Sequence, residues 1–90
     1  MKAKKEAMAG TLESSDVLVT ISPREGPEVE FTIESIVIKQ YGRRIRSVTE
    51  EVAAAAGLSG AAVRVQDRGA LECTLRARLE TAIERAAAGT

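Results

Sequence analysis

Two adjacent serines, Ser14 and Ser15, stand in the stretch Gly10-Thr11-Leu12-Glu13-Ser14-Ser15-Asp16. Apart from Leu12 the stretch is polar, and it has no apolar period, so it reads as a short connector. Read structurally, the serines are turn residues whose hydroxyls bond nearby backbone. Read chemically, a serine on an exposed segment is a modification acceptor. It can enter another enzyme's active site, and that enzyme supplies the base. The single cysteine, Cys73, lies near the start of a helical pattern. It is either a small, partly buried apolar residue or a thiol activated by Arg68, Arg76 and a helix N-terminus. Its phase differs from that of Leu71 and Leu75, and the chain has no histidine, so a nucleophilic role is disfavoured. Gly42-Arg43-Arg44-Ile45-Arg46 is a basic cluster. Such a run is usually the solvated face of a helix, and it can also dock phosphates or an acidic partner. In Asp67-Arg68-Gly69-Ala70-Leu71-Glu72, Gly69 permits a positive φ at a strand-to-helix turn, and Glu72 suits the first turn of a helix.

The elements that must position these residues follow from periodicity. Met1 to Ala9 is polar, charged and without period, and reads as a flexible N-terminal arm ahead of a single domain over 10–90. Val17 to Ser22 and Glu28 to Glu34 alternate with a period of two and read as strands. In the second, Val29, Phe31 and Ile33 share one face. Pro23-Arg24-Glu25-Gly26-Pro27 between them reads as the turn of an antiparallel hairpin. Ile38, Tyr41, Ile45, Val48, Val52 and Ala55 form an apolar helical stripe, which Gly57 terminates. Arg43, Arg44, Arg46, Glu50 and Glu51 fall off that stripe. Ala61 to Gln66 reads as a third strand with Val63 and Val65 inward. A second helix follows from about Ala70 to Ala87, with a stripe of Leu71, Leu75, Leu79, Ala82, Ile83 and Ala86. The expected fold is α+β: a small β-β-α-β-α two-layer domain with a three-stranded sheet and both helices on one face.

Composition narrows the function. The chain has 90 residues, 44% hydrophobic and 29% charged, with 13 basic and 13 acidic side chains. One small core fits, and a deep substrate cleft does not. Zero net charge speaks against a general nucleic-acid binder or a membrane-surface protein. The absence of His removes the common general base and the usual zinc ligand. One Cys excludes an intrachain disulfide, and one Tyr, one Phe and no Trp exclude a stacking platform for single strands. No apolar run approaches a membrane span, and the basic N-terminus has no apolar segment behind it, so a cytoplasmic chain is expected. What remains is a component that carries or contacts something. It has no catalytic pair and no metal-ligand set.

The motifs together resemble a known family, the citrate lyase acyl carrier proteins or gamma subunits. The resemblance rests on Gly10–Asp16, Lys39-Gln40-Tyr41-Gly42, Asp67–Cys73 and Leu75-Arg76-Ala77-Arg78-Leu79-Glu80, in the family's order, over about residues 8 to 86. Residues 22–38 and 53–62 match in pattern only. The resemblance implies a non-catalytic carrier subunit whose Ser14 holds 2′-(5″-phosphoribosyl)-3′-dephospho-CoA through a phosphodiester, attached by a dedicated transferase. It implies acetyl and citryl thioesters on that group, an alpha subunit that exchanges acetyl for citrate, and a beta subunit that releases oxaloacetate. The acyl carrier subunit of malonate decarboxylase, which uses the same group, is the near alternative. A protein- or RNA-contacting module built on Arg43–Arg46 is the alternative of another class. Leu12 spacing alone does not separate Ser14 from Ser15; only the family pattern selects Ser14.

Overall fold

The computed structural model describes residues 1–36 and 38–88, the side chains of 38–40 excepted. It contains β1 (Ala7–Gly10), β2 (Val17–Pro23), β3 (Val29–Ser35), α1 (Ile38–Ala55), β4 (Ala61–Asp67) and α2 (Glu72–Ala87). The fold is the expected small α+β domain with two helices, but the sheet has four strands, ordered β1-β2-β4-β3.

The sheet departs from the expected one in two places. The extra strand, β1, comes from the segment read as an arm: Ala7 to Gly10 pair antiparallel with Leu18 to Ile21. Its sequence, Ala-Met-Ala-Gly, carries no strand period. The strand exists because the free edge of β2 offers its ladder. Ala3 is buried too, with its N–H bonded to the Ser59 carbonyl. The second correction concerns the hairpin. β2 and β3 are not neighbours, because β4 lies between them, antiparallel to β2 and parallel to β3. The Pro23–Pro27 connection therefore spans a strand instead of closing a tight turn.

Val17, Val19 and Ile21 of β2 and Ala61, Val63 and Val65 of β4 bury the inner face almost completely. Val29, Phe31 and Ile33 are only half-buried, since β3 is an edge. The outer face of β3 carries Glu30 and Glu34, which blunt that edge against pairing. α2 packs on β1 and β2, α1 packs on β3, and the helices touch each other.

The α1 stripe holds at its centre and drifts at its ends. Ile45, Val48 and Val52 are buried, joined by Thr49 and Ala53, whereas Tyr41 and Ala55 are exposed. The expected spacing repeats every 3.5 residues, and a straight helix has 3.6 per turn, so such a stripe rotates by about 20° per heptad. The Ile38 side chain lies outside the described residues. The Thr49 hydroxyl is satisfied by donating to the Ile45 carbonyl at 2.7 Å. Gly57, with φ +65, ends the helix as expected: its N–H bonds the Ala54 carbonyl and the Leu58 N–H bonds that of Ala53, both at 3.0 Å. In α2 the buried residues are Leu75, Leu79, Ala82, Ile83 and Ala86. Leu71, read as the first of that stripe, precedes the helix and is exposed. Cys73, read as partly buried, is exposed. None of the helices among the described residues is long and apolar enough to cross a membrane.

Candidate functional site

The Thr11–Asp16 loop joins β1 to β2 at the end of the sheet where β4 finishes. Gly10 starts it with φ +96. A Cβ there would fall 1.8 Å from the Val17 carbonyl oxygen, so only glycine fits. Ser14 and Ser15 occupy the corner of a turn closed by the Asp16 N–H donating to the Glu13 carbonyl at 3.1 Å. Ser15, the third residue of that turn, has φ +66, in the left-handed region. Both serines are exposed.

The loop is organised by Asp16. One carboxylate oxygen accepts from the Thr11 hydroxyl at 2.7 Å, and the other from the Val17 N–H at 2.7 Å. The Glu13 N–H donates back to the Thr11 hydroxyl. From α2, Arg78 grips both oxygens, Nε at 3.2 Å and Nη2 at 3.3 Å. The hydroxyl of Thr11, then the Val17 N–H, then Arg78 hold the Asp16 carboxyl down to about 2, from 3.8. A second tie comes from the turn after β4. The Ser15 N–H donates to the Arg68 carbonyl at 2.8 Å, and the Arg68 N–H donates to the Asp16 carbonyl at 2.9 Å. The turn itself is held by Asp67, buried at the end of β4. It accepts from the Ser35 hydroxyl at 2.8 Å and the Ala70 N–H at 3.0 Å. Gly69 has φ +92, as its place in the turn requires. Exposed serines thus sit on a loop fixed from beneath, with Ser15 tied through its backbone and Ser14 at the corner.

Of the other sequence candidates, the Arg43–Arg46 cluster lies on the outside of α1. Arg44 pairs with Glu72 at 2.8 Å and Arg46 with Glu50 at 3.8 Å. Arg44 and then Arg76 lower the Glu72 carboxyl. Cys73 lies on α2 and shares no described hydrogen bond with the serine loop. Asp16, Asp67 and Arg78 were not singled out individually by sequence reasoning. Their signal was indirect: all three lie in the blocks that carry the resemblance.

Comparison with known proteins decides the family. The acyl carrier family described as "Malonate decarboxylase delta subunit (MdcD)" matches residues 4–86. The citrate lyase acyl carrier protein of Serratia proteamaculans is 55% identical over 86 residues, covering 96% of this chain and 84% of that protein. The chain belongs to the citrate lyase acyl carrier protein family. Citrate lyase acyl carrier protein 2 of Salmonella typhimurium is 49% identical over all 90 residues and 93% of its own length. The citrate lyase acyl carrier protein of Klebsiella pneumoniae is 50% identical over the same span. Among solved structures, a Pseudomonas malonate decarboxylase hetero-tetramer bound to malonate contains a chain of the same fold, with a TM-score of 0.81 at 20% identity. That match covers 92% of this chain and 84% of the other. As a member of the citrate lyase acyl carrier family, the chain is a carrier subunit and not a catalyst in its own right.

Proposed function

We propose that this chain is the acyl carrier of a cytoplasmic citrate lyase and that Ser14 is the attachment point of its 2′-(5″-phosphoribosyl)-3′-dephospho-CoA group. The observation that carries this reading is Ser14 itself: an exposed primary hydroxyl at the corner of a turn whose frame Asp16 and Arg78 hold. The residues present fit a phosphodiester there. The hydroxyl needs no rearrangement to enter a transferase, and the guanidinium of Arg78 lies against the loop, on the Asp16 carboxylate. When bound, the group supplies a thiol on which acetyl and citryl units travel.

The chain's own residues present the tether and hold its base still. Thr11, Asp16 and Arg78 close the loop, and the Arg68 peptide pins Ser15. A carrier fixed to its group in this way delivers it to alpha and beta subunits at a high local concentration. Relatives at about half identity over nearly the whole chain favour citrate over malonate as the acid processed. Reconstitution tests this. Loaded carrier whose thiol has been acetylated should, with alpha and beta subunits, convert citrate to acetate and oxaloacetate. Turnover of malonate with malonate decarboxylase subunits, and none with citrate, would contradict it.

A further inference from the structure

A groove of about 500 Å3 opens between α1 and the turn leading into α2. Buried Ile45, Val48 and Leu75 give it an apolar floor. Tyr41 and Leu71 line it at 56% and 72% exposure, and Arg44 lies at its rim. Leu71 is the N-cap residue of α2, with an extended backbone and no side-chain cap bond. Leucine is among the poorest residues for that position, where a short polar side chain would cap the helix. A broken local rule at an exposed position is the mark of a surface kept for binding. Leu12 and Ile36 are further exposed apolar side chains at this end of the sheet.

The groove adjoins the serine loop. The Ser15 N–H touches the Arg68 carbonyl, and the next residue, Gly69, lines the groove. Chain geometry puts Ser14 within about 13 Å of Gly69. Between Ser14 and the adenine of the group lie, in series, the phosphodiester, the phosphoribosyl sugar and the ribose of the nucleoside, a path long enough to cross that gap; the pyrophosphate and pantetheine branch off beyond it. The volume is within the range of small-molecule sites. Of the carboxylates in the lining, Glu72 is paired with Arg44 and Arg76, and Asp67, which is buried, accepts from the Ser35 hydroxyl and the Ala70 N–H, so the phosphates of the ligand belong at Arg44. Arg44 uses one guanidinium edge on Glu72 and keeps further donors for phosphate.

We propose that the nucleoside portion of the group tethered at Ser14 docks in this groove, its adenine stacked on Tyr41 and against Leu71, leaving the pantetheine end free to reach partner subunits. The proposal rests on attachment at Ser14. Tethering makes a weak contact sufficient, because the groove meets its ligand at a high effective concentration.

Tyr41 is the only tyrosine and the chain has no tryptophan, so intrinsic emission reports on this one ring. The protein is loaded by the transferase with precursor, and loading is verified by intact mass. Apo and holo forms are then compared without partner subunits, by tyrosine emission and amide chemical shifts. On loading, emission should fall about twofold or more through contact of base and ring, with shifts at 41–48 and 69–75. Leu71→Asp should load to the same mass yet keep apo-like emission. A full mass increase with unchanged emission and shifts would overturn the docking proposal alone. Groove shifts that appear only after partner subunits are added would make it their docking face and overturn it too. No mass increase in the wild-type chain would remove the attachment reading and this proposal with it.

Discussion

Arg78 and Asp16 stand 62 residues apart in sequence, yet the guanidinium of Arg78 grips both carboxylate oxygens of Asp16 at 3.2 and 3.3 Å. This pair joins the last helix to the loop that carries Ser14. It allows an exposed serine to have a defined position.

The pair sets a pH dependence. Asp16 is held down to about 2 from 3.8, so its ionised form is favoured by the fold. The contribution is complete above 3.8 and is lost as pH falls from there toward 2. Asp16→Asn should remove this component, so that its thermal stability changes less than that of the wild type between those pH values. Thermal melts at stepped pH check this. Parallel pH profiles for the two proteins would contradict it.

Gly10→Ala should be disruptive, since φ is +96 and the new Cβ would meet the Val17 carbonyl oxygen. Backbone must move at the base of the serine loop, at a cost of more than about 1 kcal/mol. Chemical denaturation should show the loss. Amide exchange should rise first along β1 and the adjoining part of β2.

Val48→Asp should unfold the domain. Val48 is fully buried in the α1 face. An unpaired carboxylate there costs several kcal/mol, against a total stability of about 5–10 kcal/mol. An unchanged melt would show that the phase assigned to α1 is wrong.

Much of this core was legible in the sequence, for reasons that also explain the failures. Val17-Leu18-Val19 and Val29-Glu30-Phe31 carry a period-two signal because one face of each strand is buried. The centre of α1 shows its period because Ile45, Val48 and Val52 are all buried. β1 was hidden because two alanines and a glycine carry almost no pattern, and its strand is made by the partner β2. The insertion of β4 between β2 and β3 was hidden because a short Pro-Gly connection resembles a hairpin turn, and strand order is a non-local property. Ser14 was legible as an exposed hydroxyl on a polar segment. The Asp16–Arg78 clamp was not, since nothing local links residues so far apart. Type and spacing place Tyr41 and Leu71 with the core, because they do not tell a buried stripe from an exposed groove.

Leu71→Asp should stabilise the fold. Leu71 is largely exposed, so little apolar burial is lost, and aspartate can accept from the open N–H groups at the start of α2. A gain of about 1 kcal/mol is expected, which raises the melting temperature by about 4–8 °C for a domain of this size. A lower melting temperature would mean that Leu71 packs more tightly than its exposure indicates.

Ser14, and not its neighbour Ser15, is expected to bear the group. Both are exposed, and only Ser15 is held by the Arg68 peptide at 2.8 Å. Ser14→Ala removes one solvated hydroxyl, so stability should shift by no more than about 0.5 kcal/mol. The decisive measurement is intact mass after each of wild type, Ser14→Ala and Ser15→Ala is incubated with the transferase and the triphosphate precursor. A mass increase of one phosphoribosyl-dephospho-CoA group is expected in wild type and Ser15→Ala, and none in Ser14→Ala. An increase in Ser14→Ala with none in Ser15→Ala, or no increase in any of the three, would contradict it.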